Sequence, residues 1–251
     1  MANKLQKQRF EYKYHIDEGQ AAGLRSFLQH YMTLDEYGAT QPNFSYPVHT
    51  LYLDSPDLLL YQATVNGDRN RFKLRIRFYE NGESAAVYPE IKRRYNAVIT
   101  KKRAAITRTA AREMVRGQLP GHDALIKPEP DSYQALEEFN RLVSLLNAGP
   151  IAHIAYLREA WIGEDEHTRT RVTMDRLVRS EPRNNMDFSF EMKNPEIVFG
   201  DTIILELKFT NRFPYWFNDL VQTYELKHQS AAKYVDGVML RGEQQYINEY
   251  I

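Results

Sequence analysis

The sequence predicts an α+β protein, mainly antiparallel β, and three observations carry that prediction. About eight segments alternate apolar and polar residues with period two, the pattern of a half-buried strand. Asn66-Gly67 and Asn81-Gly82 supply hairpin-type turn signals between neighbouring segments. Only three or four stretches show helical spacing, so strands outnumber helices and join mainly as hairpins, as in an antiparallel sheet or barrel.

Taken in order, Arg9–His15 alternates first. Asp17 and Gln20 then resemble a capping box, with Ile16, Leu24, Phe27, Leu28 and Tyr31 at helical spacing behind it. Strands are predicted at Tyr46–Leu53, Arg71–Tyr79, Val87–Arg94 and Ala97–Thr107, with a short helix after Thr109. A helix over about 132–147 ends at Gly149-Pro150. Strands follow at His153–Trp161, Arg169–Val178 and Ile203–Thr210, and a last helix starts near Pro214. Segments 118–131 and 180–202 read as loops, with Phe188–Met192 an optional extra strand. No linker divides the 251 residues, so 1–251 reads as one domain with 241–251 as a C-terminal tail.

Composition excludes several function classes. The chain has no cysteine, which removes disulfides, thiolate metal sites and cysteine nucleophiles. Its seven histidines never fall at zinc-type spacing, and no two glycines stand two residues apart, so a GxGxxG loop is absent. No apolar run is long enough for a membrane span, and the first ten residues carry no signal-peptide core; a cytoplasmic location is expected. Formal net charge is zero, yet 69–116 holds 14 Lys and Arg against 4 Asp and Glu. A basic third within a neutral whole suggests a local anion site rather than general nucleic-acid affinity.

The alternation itself is charged. In Arg71-Phe-Lys-Leu-Arg-Ile-Arg-Phe-Tyr79, Arg71, Lys73, Arg75 and Arg77 share one face while Phe72, Leu74, Ile76 and Phe78 share the other. Glu-x-Lys recurs in three strand contexts: Glu11/Lys13, Glu90/Lys92 and Glu206/Lys208. The bland reading is a sheet whose solvated face carries cross-strand ion pairs. Against it, Lys13, Lys73, Arg75, Arg77, Lys92, Arg158, Arg171, Lys208 and Lys233 face only Glu11, Glu90, Asp175 and Glu206. Inside a closed barrel that excess of cations demands a bound polyanion, such as a triphosphate. Carboxylates on the same faces suit a hard divalent cation. Lys101-Lys-Arg103 points to both faces and reads as a solvated hairpin, Tyr215, Trp216 and Phe217 as helical core, and His15 and His153 as ordinary sheet or surface residues.

These segments, in this order, resemble the VTC (vacuolar transporter chaperone) polyphosphate polymerase domain of the triphosphate tunnel metalloenzyme (CYTH-like) superfamily. The resemblance is carried by Arg9-Phe-Glu-Tyr-Lys-Tyr14, Leu51-Tyr-Leu-Asp-Ser55, Lys73-Leu-Arg-Ile-Arg-Phe-Tyr79, Glu90-Ile-Lys92, Tyr156-Leu-Arg158, Arg171-Val-Thr-Met-Asp175, Leu205-Glu-Leu-Lys208 and Ala232-Lys-Tyr234. It implies an eight-stranded triphosphate-tunnel barrel with a few flanking helices. The implied activity is ATP-dependent polyphosphate polymerisation, with tripolyphosphate or nucleoside triphosphate hydrolysis, or a non-catalytic binding module, as alternatives. Arg75, Arg77 and Lys208 would be catalytic; Lys13, Lys92, Arg158, Arg171 and Lys233 would grip phosphates. Glu206 and Glu11 would hold Mn²⁺ or Mg²⁺, and no direct contact is assigned to Lys73 or Glu90. The implied partners are ATP, or another nucleoside triphosphate, and polyphosphate, with no nucleic acid expected. Two departures stand out: Arg9 replaces the first Glu of the Glu-x-Glu-x-Lys start found in the triphosphatase and cyclase branch, and Tyr61-Gln-Ala-Thr-Val65 lacks a basic residue that fungal polymerases carry there. With 251 residues, an attached sensing module is not expected.

Overall fold

Charged side chains on every second strand residue force a choice of which face is buried against helices. In the computed structural model, which describes residues 9–164 and 168–247, the apolar face points outward and the charged face inward. The eight main strands are β1 (Arg9–Ile16), β3 (Ser45–Asp54), β4 (Asn70–Phe78), β5 (Tyr88–Tyr95), β6 (Val98–Arg103), β7 (Gly149–Glu164), β8 (Arg169–Pro182) and β10 (Ile203–Thr210). They pair in the order β1-β10-β8-β7-β3-β4-β5-β6, every neighbour antiparallel. The short strands β2 (Thr33–Leu34) and β9 (Glu196–Ile197) pair with β7 and β8.

The backbone ladder does not close. β1 and β6 lie side by side without strand pairing, and the Lys92 ammonium of β5 spans the seam to Glu11 of β1 at 3.1 Å. The expected barrel is therefore a curled sheet with one open seam.

Two apolar layers cover the outside. Leu74, Ile76 and Phe78 of β4 pack with Leu136, Phe139 and Val143 of α5 (Pro130–Leu146). Leu205, Leu207 and Phe209 of β10 pack with Leu24 and Leu28 of α1 (Glu18–Leu28) and with Trp216, Phe217 and Leu220 of α6 (Tyr215–Thr223). The capping box forms: Asp17 Oδ1 accepts from Gln20 N at 2.7 Å and Gln20 Oε1 from Asp17 N at 3.1 Å. Beneath α1, the buried Glu159 carboxylate accepts from Arg25, Arg176 and Trp161 at 2.9–3.0 Å, tying the helix to β7 and β8.

A third cluster fills one end of the interior. Tyr234, Val235 and Val238 of α7 (Lys233–Arg241) pack on Val48, Tyr52 and Ile154 of the inner face, beside Tyr61 of α3 (Leu59–Val65). Close seating requires Gly237, where a Cβ would lie 2.5 Å from Ser180 Oγ. Asp54, fully buried, accepts from Ser55, Leu60 and Tyr61 backbone N–H and from Tyr234 Oη at 2.8–2.9 Å, so one carboxylate fixes the start of α3 and the seat of α7. The segment expected as a tail packs as far as Tyr246, which is buried in this cluster; 248–251 lie outside the described residues.

Other differences are local. α4 (Arg108–Glu113) begins one residue before Thr109, capped by Thr107, and α2 (Glu36–Ala39) is a single turn capped by Asp35. The optional strand at Phe188–Met192 is not a strand: Phe188 is buried against Phe78, and Phe190 stacks on His49 at 3.9 Å. His49 Nδ1 and His153 Nε2 share a hydrogen bond of 2.9 Å beneath that ring.

Burial first, then the charges of Arg179 and Arg183, lower His49 to about 4 and His153 to about 2. Both rings are neutral when folded, so their contribution is complete above about pH 6.5 and is lost as pH falls, because the unfolded chain gains the protons. Urea unfolding between pH 7 and 5 is expected to show a loss of up to about 1.4 kcal/mol per pH unit for each ring. In His49→Asn/His153→Asn this slope flattens; an unchanged slope would show that other groups govern it.

Candidate functional site

The inner face of β4 carries Lys73, Arg75 and Arg77, and their charges need partners in a region with little water. Glu90 of β5, completely buried, is the main one. It stands opposite Arg75 in the register and accepts from Arg75 Nε at 2.9 Å. Its carboxylate also lies 3.9 Å from Arg77 Nη1, 3.4 Å from Lys101 Nζ and 3.7 Å from Arg103 Nη1. Burial would raise the Glu90 carboxyl, but Arg77, Arg75 and Lys101 together hold it well below the usual range.

Lys101 and Arg103 therefore belong to the tunnel wall, contrary to the solvated-hairpin reading. Only Lys102 faces outward, where it meets Glu138 of α5 at 2.8 Å. Arg103 stacks over Tyr88 at 4.1 Å, at the same end of the tunnel as Arg77. The signal was present in the sequence as period two, with 101 and 103 on one face, but one face of a hairpin does not say which side is concave.

A second group lies across the tunnel on β7, β8, β10 and α7. Arg158 grips Asp175 through Nε and Nη2, both at 2.7 Å, and Lys233 Nζ lies 2.7 Å from Asp175 and 3.3 Å from Glu206. Lys208 bonds Glu206, and Thr173 donates to it at 3.4 Å. Burial lowers Lys208 to about 8 in spite of Glu206 and Glu11. Lys13 sits 3.6 Å from both Glu11 and Glu206, which are thus neighbours across one ammonium.

The expected residues converge with one exception. Arg171 lies at the rim, its Nη2 2.7 Å from Asp35 and 3.3 Å from Tyr46 Oη, and it is more exposed than Arg75, Arg77, Arg158 or Lys233. Sequence reasoning missed Asp35 because it lies in a loop outside the alternating strands. It also missed the wall tyrosines: Tyr52 meets Arg75 at 3.3 Å, and Tyr156 meets Arg77 at 3.4 Å and lies 5.1 Å from the Arg158 guanidinium. Tyr52 is brought down to about 8; burial opposes this, but Arg75 and Lys73 outweigh it.

Two buried polar atoms face each other with no protein partner. Arg77 Nε and Thr50 Oγ1 are both orphaned, and Thr50 is the register partner of Arg77. An unpaired guanidinium N–H in such a place is costly unless an acceptor arrives.

Divalent-cation binding can be judged from the donors. Among the described residues no three His, Cys, Asp or Glu side chains converge, so the protein alone forms no cage. Mg²⁺-type ions use one or two carboxylates and complete their shell with water and substrate phosphate. Glu206 and Glu11, both 3.6 Å from Lys13 Nζ, would be the pair of oxygen donors for a cation held jointly with phosphate.

Glu90→Gln keeps the shape and removes the charge that organises Arg75, Arg77, Lys101 and Arg103. Breaking one side of a buried ion-pair network costs about 3–5 kcal/mol, so a marked drop in thermal midpoint is expected. Added tripolyphosphate should raise the variant's midpoint more than the wild type's, because the anion replaces the missing charge. Equal shifts in both proteins would remove Glu90 from this role.

Comparison with known proteins adds the family. No curated protein matches the chain. A crystal structure of a "putative adenylate cyclase" from Bacillus halodurans is similar over 90% of this chain and 94% of that one, with 12% identity and a TM-score of 0.49. The VTC domain family model matches residues 8–240, nearly the whole sequence and every strand of the curled sheet. The chain belongs to the VTC domain family.

Proposed function

We propose that this protein is a metal-dependent phosphotransferase that moves the terminal phosphoryl group of ATP onto a polyphosphate chain inside the tunnel. The observation that supports it most is the unpartnered Nε of Arg77, buried in a wall where Arg75, Arg77, Lys101 and Arg103 share the single carboxylate of Glu90. A bare phosphate chain supplies dense negative charge and oxygen acceptors without the bulk of sugar and base.

In this reading Arg75, Arg77 and Lys208 line the transferred group and stabilise the charge on its equatorial oxygens. Lys13, Lys92, Arg158, Arg171 and Lys233 hold the flanking phosphates. Glu206 and Glu11 hold Mn²⁺ or Mg²⁺, which when bound neutralises charge on phosphate oxygens. A terminal oxygen of the acceptor chain attacks the γ-phosphorus, the bond to the β-phosphate oxygen breaks, and ADP leaves with the electron pair. The acceptor is already an anion, so no general base is needed.

Hydrolysis, by contrast, would need a group to take the proton of water. Glu11, Glu90, Asp175 and Glu206 are each engaged by two or more cations, and a carboxylate so held is a poor proton acceptor for water. Incubation with ATP and Mn²⁺, followed by gel separation, is expected to yield long polyphosphate. Free phosphate alone would replace transfer by hydrolysis; binding without turnover would leave a binding module.

Arg77→Ala is expected to lose about 2–5 kcal/mol of tripolyphosphate affinity, read by calorimetry, with polymer formation abolished. Wild-type affinity in that variant would overturn the assignment. Glu206→Gln should separate the two components. Polymer yield with Mn²⁺ falls, whereas metal-free tripolyphosphate binding persists or tightens, since a repelling carboxylate is gone; undiminished yield would remove Glu206 from the metal site.

A further inference from the structure

The β4–β5 hairpin, with β6 beside it, runs past the end of β3. β3 pairs with β4 only from Leu74 to Phe78, whereas β4 and β5 stay paired to Asn70 and Tyr95. On the inner face of this overhang, Lys73 stands directly opposite Lys92, and Arg71 directly opposite Arg94. Like charges facing each other across a ladder are destabilising, and here two such pairs follow in succession.

Little on the protein offsets them. Lys92 reaches Glu11, but Lys73 has the Tyr234 ring at 6.0 Å, and burial together with Lys13, Lys92 and Arg75 lowers it to about 8 against the pull of Tyr52. Arg71 donates to the Asp68 carbonyl and Arg94 Nε to the Asn96 carbonyl at 2.8 Å; Asp68 is the acidic side chain that acts on Arg71. Accessibility rises outward, from Arg75 at 11% to Lys92 at 28%, and Arg94 is exposed. Along a strand Arg71 lies about 13 Å beyond Arg75, so a ligand confined to the deep site does not span both.

We propose that the inner face of this hairpin, from Lys73 and Lys92 to Arg71 and Arg94, is a track on which a polyphosphate chain longer than the deep site lies as it passes the mouth. The inference rests on the tunnel reading above and adds the path of the chain. Its consequence is length dependence: tripolyphosphate stops short of Arg71 and Arg94, whereas a long chain also covers that outer pair.

The test is calorimetric titration of the whole protein with tripolyphosphate and with long-chain polyphosphate at matched ionic strength. Arg71→Gln/Arg94→Gln is expected to weaken the long chain about tenfold, one half-buried and one exposed charge contact being lost, and to leave tripolyphosphate unchanged. The thermal midpoint should hold or rise as repulsion is removed, and Arg71→Lys/Arg94→Lys should retain most of the long-chain affinity. Equal long-chain affinity in wild type and the Gln variant would overturn the track while sparing the tunnel. Failure of wild type to bind tripolyphosphate would overturn the tunnel reading and the track with it. A single-stranded oligonucleotide of equal charge that displaces the long chain equally well would make the hairpin a nucleic-acid surface instead.

Discussion

The fold depends on keeping a crowd of cations on the concave face of one sheet. Arginine and lysine cannot shed their hydration cheaply, so each inward cation must meet a carboxylate, a tyrosine or a ligand. Glu90 answers this for Arg75, Arg77, Lys101 and Arg103, and the Asp175–Glu206 pair answers it for Arg158, Lys208 and Lys233. A polar interior in turn sends the apolar strand residues outward, and the outer helices follow from that. α1, α5 and α6 are the hydrophobic core's other half, while α7 packs on the inside with Tyr61 of α3 beside it.

Much of this was legible in the sequence. Period two is a strong signal when it separates charge from apolar residues; β1 and β4 carry it throughout and β10 from Leu205 onward, whereas β8 breaks it at Arg176-Leu177, where the pairing with β7 shifts register. Which face is concave is a property of the closed path and not of any one strand, which is why Lys101 and Arg103 read as solvated. Helices α2 and α3 are too short for a helical period to show, and α3 starts after Leu58 in the left-handed region, a conformation an apolar run does not announce. The Leu51-Tyr-Leu-Asp-Ser55 segment could be located but not explained. Its Asp54 carboxylate turns out to be an anchor for α3 and α7, with burial raising its pKa against four hydrogen bonds.

The same reasoning explains why Tyr52 and Tyr156 escaped notice. A tyrosine on a strand face reads equally well as core, and Tyr52 does stack on Tyr234 at 4.8 Å. Its hydroxyl nonetheless meets Arg75, so the ring closes the apolar plug of α7 while its oxygen faces the tunnel. Lys233 and Tyr234 divide the work in the same way on α7: the first reaches Asp175 and Glu206, the second seals the core behind them.

Charge and stability are coupled by this design. A protein that buries cations in excess has a folded state raised in free energy relative to one that neutralises them, and an anion that binds only the folded state recovers the difference. The four carboxylates therefore set how much of that coupling is left for a ligand. Glu90 and Asp175 are placed deepest and are each held by an arginine at 2.7 Å, which makes them permanent members of the network. Glu11 and Glu206 are bound mainly by lysines, compact charges on flexible stems that can turn from a carboxylate to a phosphate without moving a strand. The difference divides the wall into a fixed arginine framework, which keeps the sheet curled when no phosphate is bound, and an exchangeable lysine set. In the proposed mechanism, phosphate would draw those lysines away and release Glu11 and Glu206 first, the two carboxylates proposed to hold the divalent cation.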